Sequence, residues 1–263
     1  MTISHIFRAD TTNVGDWYCP PARYFTFANS GMADILNFSA DNLDRHVVVG
    51  GGGLLAQFFH SHMRRLADCR PRLASLVAWG VGESENINCA GRMVLPYQGK
   101  LPDYLTIFDL VGVRDYGAEY RWVPCVSCML PHFDRTYSVT RRICIYDHKR
   151  VPIVIDGFDR LSNDGNDIDA AIAFLASAEV VITNSYHGAY WATLLGRRVL
   201  CIPNFSKMYR FKHLPILCRI EDWRRYIDLT ASYPQALAEC RAANHAFYRD
   251  VAALQGMSSS DPP

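Results

Sequence analysis

Residues 179–204 read EVVITNSYHGAYWATLLGRRVLCIPN, and this stretch decides the fold that the sequence predicts. The β-branched run at 180–183 is typical of a buried parallel strand. Residues 187–195 have the small and apolar side chains of a short helix, which Gly196 is expected to end. A second apolar run follows at 199–202. The stretch therefore predicts a strand–helix–strand unit, with a polar turn at the sheet edge where α/β proteins bind ligands.

The polar turn contains Asn184 and Ser185, which are good residues for a helix N-cap, and His187. A hydroxyl, an imidazole and the amides of a helix N-terminus at one point suit an anion such as phosphate or carboxylate. His187 could also give or take a proton. In the alternative interpretation, His187 only caps the helix or bonds a backbone carbonyl. The local pattern favours neither.

The composition limits the classes of function. The chain has 263 residues, enough for one large domain or two small ones, and a formal net charge of +1. No basic excess points to nucleic acid. The longest apolar runs have the length of strands, so no membrane span is expected. The N-terminal residues lack the apolar core of a signal peptide, and we expect a cytoplasmic location.

The nine cysteines are scattered, and Cys125 and Cys128 form the close pair. A zinc site would need two further ligands, for which His132 is the near candidate. A redox pair would need the helix start of a thioredoxin-like unit, which the sequence does not show. We therefore expect reduced thiols, with the pair as structural cysteines in a loop.

Toward the N-terminus, a strand at 4–9 precedes Asn13 and Asp16, and an aromatic helix is expected near 18–27. Asp16 is either a general base or the cap of that helix, and the local pattern favours the cap. A strand at 45–49 leads into four glycines at 50–53 and then a helix at 54–66. Such a turn allows an anion or sugar site at the helix N-terminus, or is only a tight turn. It matches neither GxGxxG nor a Walker loop.

Two more strands are predicted at 73–79 and 104–113, the first followed by a second glycine turn at 80–82. Arg114 ends the later strand, where an arginine is a natural clamp for an anion. The alternative is an ordinary ion pair with Asp115 or Asp109. Residues 85–104 between these strands are predicted to be irregular, and residues 131–140 to form a linker.

After the linker, a strand at 142–146 ends near His148, a strand at 152–155 is possible, and a helix runs to about residue 178. The basic and aromatic segment 206–213 follows the central unit and includes Arg210 and Lys212. These cations either complete an anion site or form a solvated face. A terminal helix is predicted at 234–254, with a disordered tail at 256–263.

The order of elements predicts an α/β protein with two Rossmann-like domains facing across a cleft. We place the first domain at 1–135 and the second at 136–255. The polar turns of both halves would line the cleft.

These motifs together resemble the polysaccharide pyruvyl transferase family, and most closely the type that forms a pyruvate ketal on exopolysaccharide sugars. The resemblance covers nearly the whole chain, in order: 13–16, 48–54, 80–82, 113–115, 185–188 with 194–196, and 210–212. Ser185 stands where many members have arginine, and residues 123–128 stand where many have an Asp-Pro step.

The resemblance implies a fold similar to GT-B glycosyltransferases, with no cofactor and no required metal. It also implies that domain 1–135 lies on the acceptor side and domain 136–255 on the donor side. It implies phosphoenolpyruvate as donor and the hydroxyls of a sugar as acceptor, in a surface or exopolysaccharide precursor. The acceptor could be a lipid-linked oligosaccharide, which would bring the protein to the membrane periphery.

With that chemistry, His187 is expected to act as proton donor or phosphate ligand, Asp16 as the base, and His148 as a second acid–base group. Arg114, Arg210 and Lys212 would hold the negative groups of the donor. The other expected substrate contacts are Asn13, Ser185, Gly51 and Gly52. Two alternatives remain: a GT-B-type glycosyltransferase that uses a sugar nucleotide, and a non-catalytic sugar-binding relative.

Overall fold

The protein contains two parallel β-sheets, seen in a computed structural model that describes residues 2–27, 29–85 and 101–257. The first sheet has the order β2-β1-β3-β4-β5-β6. Its strands are β1 (Ile3–Phe7), β2 (Ser30–Asp34), β3 (His46–Gly50), β4 (Ser75–Val81), β5 (Leu110–Val113) and β6 (Arg121–Trp122). The second sheet consists of β7 (Arg141–Asp147), β8 (Arg160–Ser162), β9 (Ala178–Thr183), β10 (Arg198–Cys201) and β11 (Ile216–Leu217).

Both sheets follow the same doubly wound topology. The second has the order β11-β10-β9-β7-β8, so each sheet places its first strand between its second and its third. All pairs in both sheets are parallel. In each sheet the strand order reverses beside the first strand. Open α/β sheets form a binding crevice at such a switch point. The predicted α/β class with two Rossmann-like sheets is confirmed, and the domain limits at 135 and 255 stay predictions.

The helices cover the sheets and leave the carboxyl ends of the strands to loops. They are α1 (Val14–Trp17), α2 (His60–Asp68), α3 (Ile168–Ala176), α4 (Tyr186–Leu194), α5 (Trp223–Tyr226) and α6 (Ala236–Leu254). The unit β9–α4–β10 matches the prediction from 179–204. Gly196 follows α4 with a φ of 70°, the left-handed conformation that ends helices.

The first sheet is buried on both faces by alternate side chains of its central strands. Val47 and Val49 belong to the apolar cluster that α2 completes through Met63 and Leu66. Val48 and Trp79 lie in the cluster on the opposite face, with Phe247 of α6. The C-terminal helix therefore packs on the first sheet, and the indole of Trp79 donates to Asn244 Oδ1 at 2.8 Å.

Several predicted elements differ from the structure. Residues 18–27 do not form a helix, because Pro20 and Pro21 allow only a 3-10 turn at Pro21–Arg23. The predicted helix 54–66 begins at His60, after a 3-10 turn at Gln57–Phe59. Residues 152–155 are not a strand. The edge strand β2 was not predicted, because its exposed, alanine- and glycine-containing sequence lacks strand alternation.

Parts of two predictions lie outside the described residues, namely 86–100 of the irregular segment and 258–263 of the tail. Among the described helices, none is long and apolar enough to cross a membrane.

Candidate active site

One polar pocket lies where the loops from the carboxyl ends of both sheets meet. The loops after β1 and β3 reach it from the first sheet, and those after β7 and β9 from the second. The two topological switch points therefore face the same space. Six of the residues predicted from sequence line it: Asn13, Asp16, Arg114, His148, Ser185 and His187.

The loop after β1 presents a carboxylate that Asn13 holds in place. Asn13 is the N-cap of α1, and its Oδ1 accepts from Gly15 N at 3.1 Å. Its amide also donates to Asp16 Oδ2 at 2.8 Å. The favoured interpretation of Asp16 as the cap is therefore wrong, because Asn13 takes that position. Asn163, from the loop after β8, donates to Asn13 Oδ1 at 3.2 Å and joins the two halves.

Arg114 is a buried cation with few partners. Its side chain is 2% exposed, and the guanidinium carbon lies 4.2 Å from the ring centroid of Tyr186. Nη2 donates to the Glu83 carbonyl at 3.2 Å, whereas the buried Nε has no hydrogen-bond partner among the described residues. Asp115 stands 3.9 Å away, and Asp109 pairs with Arg70 instead. The alternative of an ion pair with Asp115 is therefore met, at a distance too long for a hydrogen bond. The guanidinium keeps donors that could also bind an anion.

His187 stands at the start of α4, but it does not cap the helix. Ser185 is the N-cap and accepts from Gly188 N at 3.4 Å. His187 Nε2 faces two sulfur atoms, those of Cys125 at 3.4 Å and Cys19 at 3.6 Å. Within the described ranges, Nδ1 has no hydrogen-bond partner. The local alternatives, a cap or a bond to a carbonyl, are therefore not what this side chain does.

His148 follows β7 and borders the same pocket. The Arg150 amide donates to its Nδ1 at 3.3 Å, and its ring lies 5.2 Å from that of Phe205. Burial and the charge of nearby Lys207 lower the pKa of His148 to about 4. The imidazole is thus neutral near pH 7. Because Nδ1 accepts from the Arg150 amide, the ring proton lies on Nε2, which can donate a hydrogen bond.

Lys207 is a pocket cation that the sequence analysis did not select. It is half-buried, and burial with the charge of Arg114 lowers its pKa to about 8. The sequence did contain a pattern that indicates this lysine, since Lys207 belongs to the basic segment 206–213. A 3-10 turn at Ser206–Tyr209 turns this lysine toward the pocket.

The structure does not bring the two selected cations of that segment to the pocket lining. Lys212 Nζ lies 2.8 Å from Glu239 Oε2 and 4.7 Å from the ring centroid of Trp122. Arg210 lies near the carboxyls of Glu83 and Asp115. Burial raises the pKa of both carboxyls, and the charge of Arg210 lowers it.

The glycine turn after β3 contributes to the pocket through Gly53. Gly51 and Gly52 have φ values of 67° and 77° and shape the turn. A Cβ on Gly52 would stand 3.6 Å from Asp16 Oδ1, so this backbone runs beside the carboxylate. Because α2 begins only at His60, the predicted juxtaposition of the glycines with a helix N-terminus is wrong.

The two cysteines that are close in sequence, Cys125 and Cys128, have different partners in the structure. Cys125 Sγ lies 3.6 Å from Cys19 Sγ, whereas Cys128 Sγ accepts from Asn244 at 3.4 Å. His132 bonds Asp169 at 2.9 Å and meets neither cysteine. Burial raises the pKa of the Cys125 thiol, but Cys19 and His187 outweigh burial and hold it well below its usual value. The eight cysteines in the described part of the chain are free and buried.

The family model of polysaccharide pyruvyl transferase matches residues 12–206 of this sequence. The chain belongs to the polysaccharide pyruvyl transferase family. It is therefore a member of an enzyme family, and the matched range contains every pocket residue named above except Lys207. The match supports a role in pyruvyl transfer.

The comparisons with solved structures and curated proteins add no functional information about this member of the pyruvyl transferase family. A solved structure of a functionally uncharacterised protein from Klebsiella pneumoniae is 16% identical, with a TM-score of 0.47. The match covers 76% of this chain and 83% of that one. No curated protein matches the chain.

Proposed function

We propose that this protein transfers the pyruvyl group of phosphoenolpyruvate to two hydroxyls of a sugar and forms a pyruvate ketal. The observation that carries the proposal is the convergence of Arg114, Lys207 and His187 with the Asp16 carboxylate on one pocket. Phosphoenolpyruvate is small and carries a phosphate and a carboxylate. The two cations that line the pocket, Arg114 and Lys207, match these two negative groups.

The two cations would bind the negative groups of the donor. Within residues 2–27, 29–85 and 101–257, the Nε of Arg114 makes no hydrogen bond, and the guanidinium stacks on Tyr186. Lys207 adds an ammonium from the loop after β10, with Nζ 4.7 Å from the ring centroid of Phe205. Charge-assisted hydrogen bonds to phosphate or carboxylate are the strong type, and the burial of Arg114 strengthens them further. Arg210, whose charge acts on Glu83 and Asp115, would add to the positive field.

The reaction needs proton transfers at both substrates. The methylene carbon of phosphoenolpyruvate takes a proton, and a sugar hydroxyl bonds to C2 and loses its own. The C2–O bond to phosphate then breaks, and the second hydroxyl closes the ketal with loss of its proton. Of the two protons that the hydroxyls release, one replaces the proton spent on the methylene carbon, and the leaving phosphate takes up the other.

We assign Asp16 as the base for the acceptor hydroxyl, because Asn13 orients its carboxylate from the first sheet. His187 serves as proton donor or phosphate ligand through Nδ1, the nitrogen without a partner among the described residues. His148, the second acid–base candidate, is neutral near pH 7 and would donate a hydrogen bond to a substrate oxygen through Nε2, because its Nδ1 accepts from the Arg150 amide. A positioned acid or base typically contributes about 10²–10⁴-fold.

The remaining parts of the proposal follow from the family. The donor half and acceptor half would face each other as in GT-B enzymes, with neither cofactor nor metal taking part in the chemistry. The acceptor would be a sugar of a surface or exopolysaccharide precursor, free or lipid-linked, met in the cytoplasm or at the membrane periphery. Nucleic acid is not an expected partner.

The test is phosphate release from phosphoenolpyruvate with a panel of hexose acceptors, with mass spectrometry of the products. We expect release that depends on the acceptor and a product that gains one pyruvyl unit. His187→Ala should nearly abolish release and keep the circular dichroism spectrum of the wild type. No release with any acceptor, together with saturable binding of a sugar nucleotide, would replace the proposal by a glycosyltransferase. Saturable sugar binding without either reaction would indicate a non-catalytic relative.

A further inference from the structure

Three potential metal ligands meet beneath the pocket. Cys19 follows α1, Cys125 precedes the 3-10 turn Val126–Met129, and His187 opens α4. Their ligand atoms all lie within 4.8 Å of one another, and all three residues are buried. The distances are 3.6 Å between the two sulfurs, 3.6 Å from Cys19 Sγ to His187 Nε2, and 3.4 Å from Cys125 Sγ to the same nitrogen.

These distances match the edges of a zinc coordination tetrahedron. With Zn–S bonds of about 2.3 Å and Zn–N bonds of about 2.0–2.1 Å, ligand atoms stand about 3.8 Å apart for two sulfurs and about 3.5 Å for sulfur and nitrogen. We propose that Cys19, Cys125 and His187 bind a zinc ion. The set supplies three of the four positions of the tetrahedron, as protein ligands do in zinc sites that keep an open position.

Charge balance favours an ion at this point. Two thiolates and one neutral imidazole carry a formal charge of −2, which a divalent zinc ion cancels. A neutral centre can be buried at far lower cost than separate charges. Thiolate and imidazole donors also select zinc over magnesium or calcium, which prefer oxygen.

The surroundings would hold the ligands in place. Ser127 Oγ lies 3.2 Å from Cys125 Sγ, and the indole of Trp191 donates to this oxygen at 3.0 Å. Tyr190 OH donates to the Cys125 carbonyl at 2.8 Å. Partners of this kind orient the ligands of metal sites and tune their basicity.

A bound zinc would also determine how His187 meets the pocket. With Nε2 on the metal, the proton of a neutral imidazole must sit on Nδ1, which could then donate a hydrogen bond to a substrate oxygen. Of the two roles proposed for His187, zinc binding thus favours the phosphate ligand. The site itself does not rest on the proposed function, since metal content is measured without turnover.

The experiment is a metal measurement on the full chain, purified under reducing conditions without chelators from zinc-supplemented medium. We expect elemental analysis and native mass spectrometry to find close to one zinc ion per chain, and at least a tenfold loss in Cys19→Ser and in Cys125→Ser. The matched control is Cys128→Ser, which changes a buried cysteine of the same loop outside the cluster and should keep the metal.

A second measurement uses the wild-type protein, so that it tests the proposal even where the cysteine variants fail to fold. Wild-type protein reconstituted with Co²⁺ should show thiolate-to-cobalt charge-transfer absorption and intense visible bands of tetrahedral cobalt. Absence of that absorption, or equal zinc in Cys125→Ser and the wild type, would overturn the proposal. So would a wild-type chain without metal whose mass is lower by two hydrogens, because Cys19 and Cys125 would then be a disulfide pair.

Discussion

The α-carbon of Gly15 lies directly against the imidazole of His187. A Cβ at position 15 would overlap Nδ1 and stand 2.6 Å from Cγ and 2.8 Å from Cε1 of the histidine. Gly15 belongs to α1, after the first sheet, and His187 to α4 in the second half. The pocket therefore requires glycine at 15 for space, because the backbone there is ordinary helix.

Gly15→Ala should displace the His187 ring and lower turnover of phosphoenolpyruvate by about 10²-fold or more, the size of a lost acid–base group. The measurement is kcat in the phosphate-release assay. Gly31→Ala is the control, because a Cβ there meets nothing within 4 Å, and it should keep wild-type turnover. Wild-type kcat in Gly15→Ala would show that the histidine can shift without consequence.

Lys207→Ala should raise KM for phosphoenolpyruvate by roughly 10- to 100-fold, because a hydrogen bond to a charged group is worth about 1.5–3 kcal/mol. Lys212→Ala removes the same charge five residues later, from a side chain that pairs with Glu239 at 2.8 Å. That variant should leave KM unchanged and cost at most about 1 kcal/mol of stability. Equal effects of both variants on KM would contradict the assignment of Lys207 to the pocket.

This pair of lysines shows what local sequence can and cannot predict. The pocket positions of Asp16, Arg114 and His187 could be predicted, because each follows the carboxyl end of a parallel strand and such ends share one edge of a sheet. Lys207 and Lys212 both follow β10. Their directions depend on the 3-10 turn and on Glu239, which belongs to the distant helix α6.

Contacts between distant segments were the other limit. Cys125 stands beside Cys128 in sequence, but the fold places it against Cys19 and His187. No periodicity or spacing encodes that meeting, because it arises when loops of both halves pack together. Trp79 was assigned to a strand from its apolar neighbours, whereas its partner Asn244 on the last helix could not be inferred.

Asp16→Asn should lower kcat by about 10²-fold while KM for phosphoenolpyruvate stays near the wild-type value. The substitution removes the charge but keeps an oxygen that can accept from the Asn13 amide, so α1 should stay capped. Asp41→Asn, an exposed carboxylate that pairs with Arg72, is the control and should behave as the wild type. A rise in KM without a fall in kcat would move Asp16 from proton transfer to binding.

Glu83 makes the stability of the protein depend on pH. Burial and the nearby charges of Asp115 and Glu85 raise its pKa from 4.5 to about 7, while Arg210 lowers it. The Glu83 carbonyl also accepts from Arg114. An acid with a raised pKa in the folded state contributes its stability below the unfolded pKa. That contribution is lost as the pH rises through the folded pKa.

Glu83→Gln should therefore be more stable relative to the wild type at pH 8 than at pH 5, because glutamine stays neutral where buried Glu83 must ionise. The change in relative stability should be on the order of 2 kcal/mol, since one pKa unit corresponds to about 1.4 kcal/mol. Urea unfolding at both pH values measures it. Exposed Glu119→Gln should show the same difference from the wild type at either pH. If Glu83→Gln behaved in that way too, Glu83 would ionise in the folded protein as freely as in the unfolded chain.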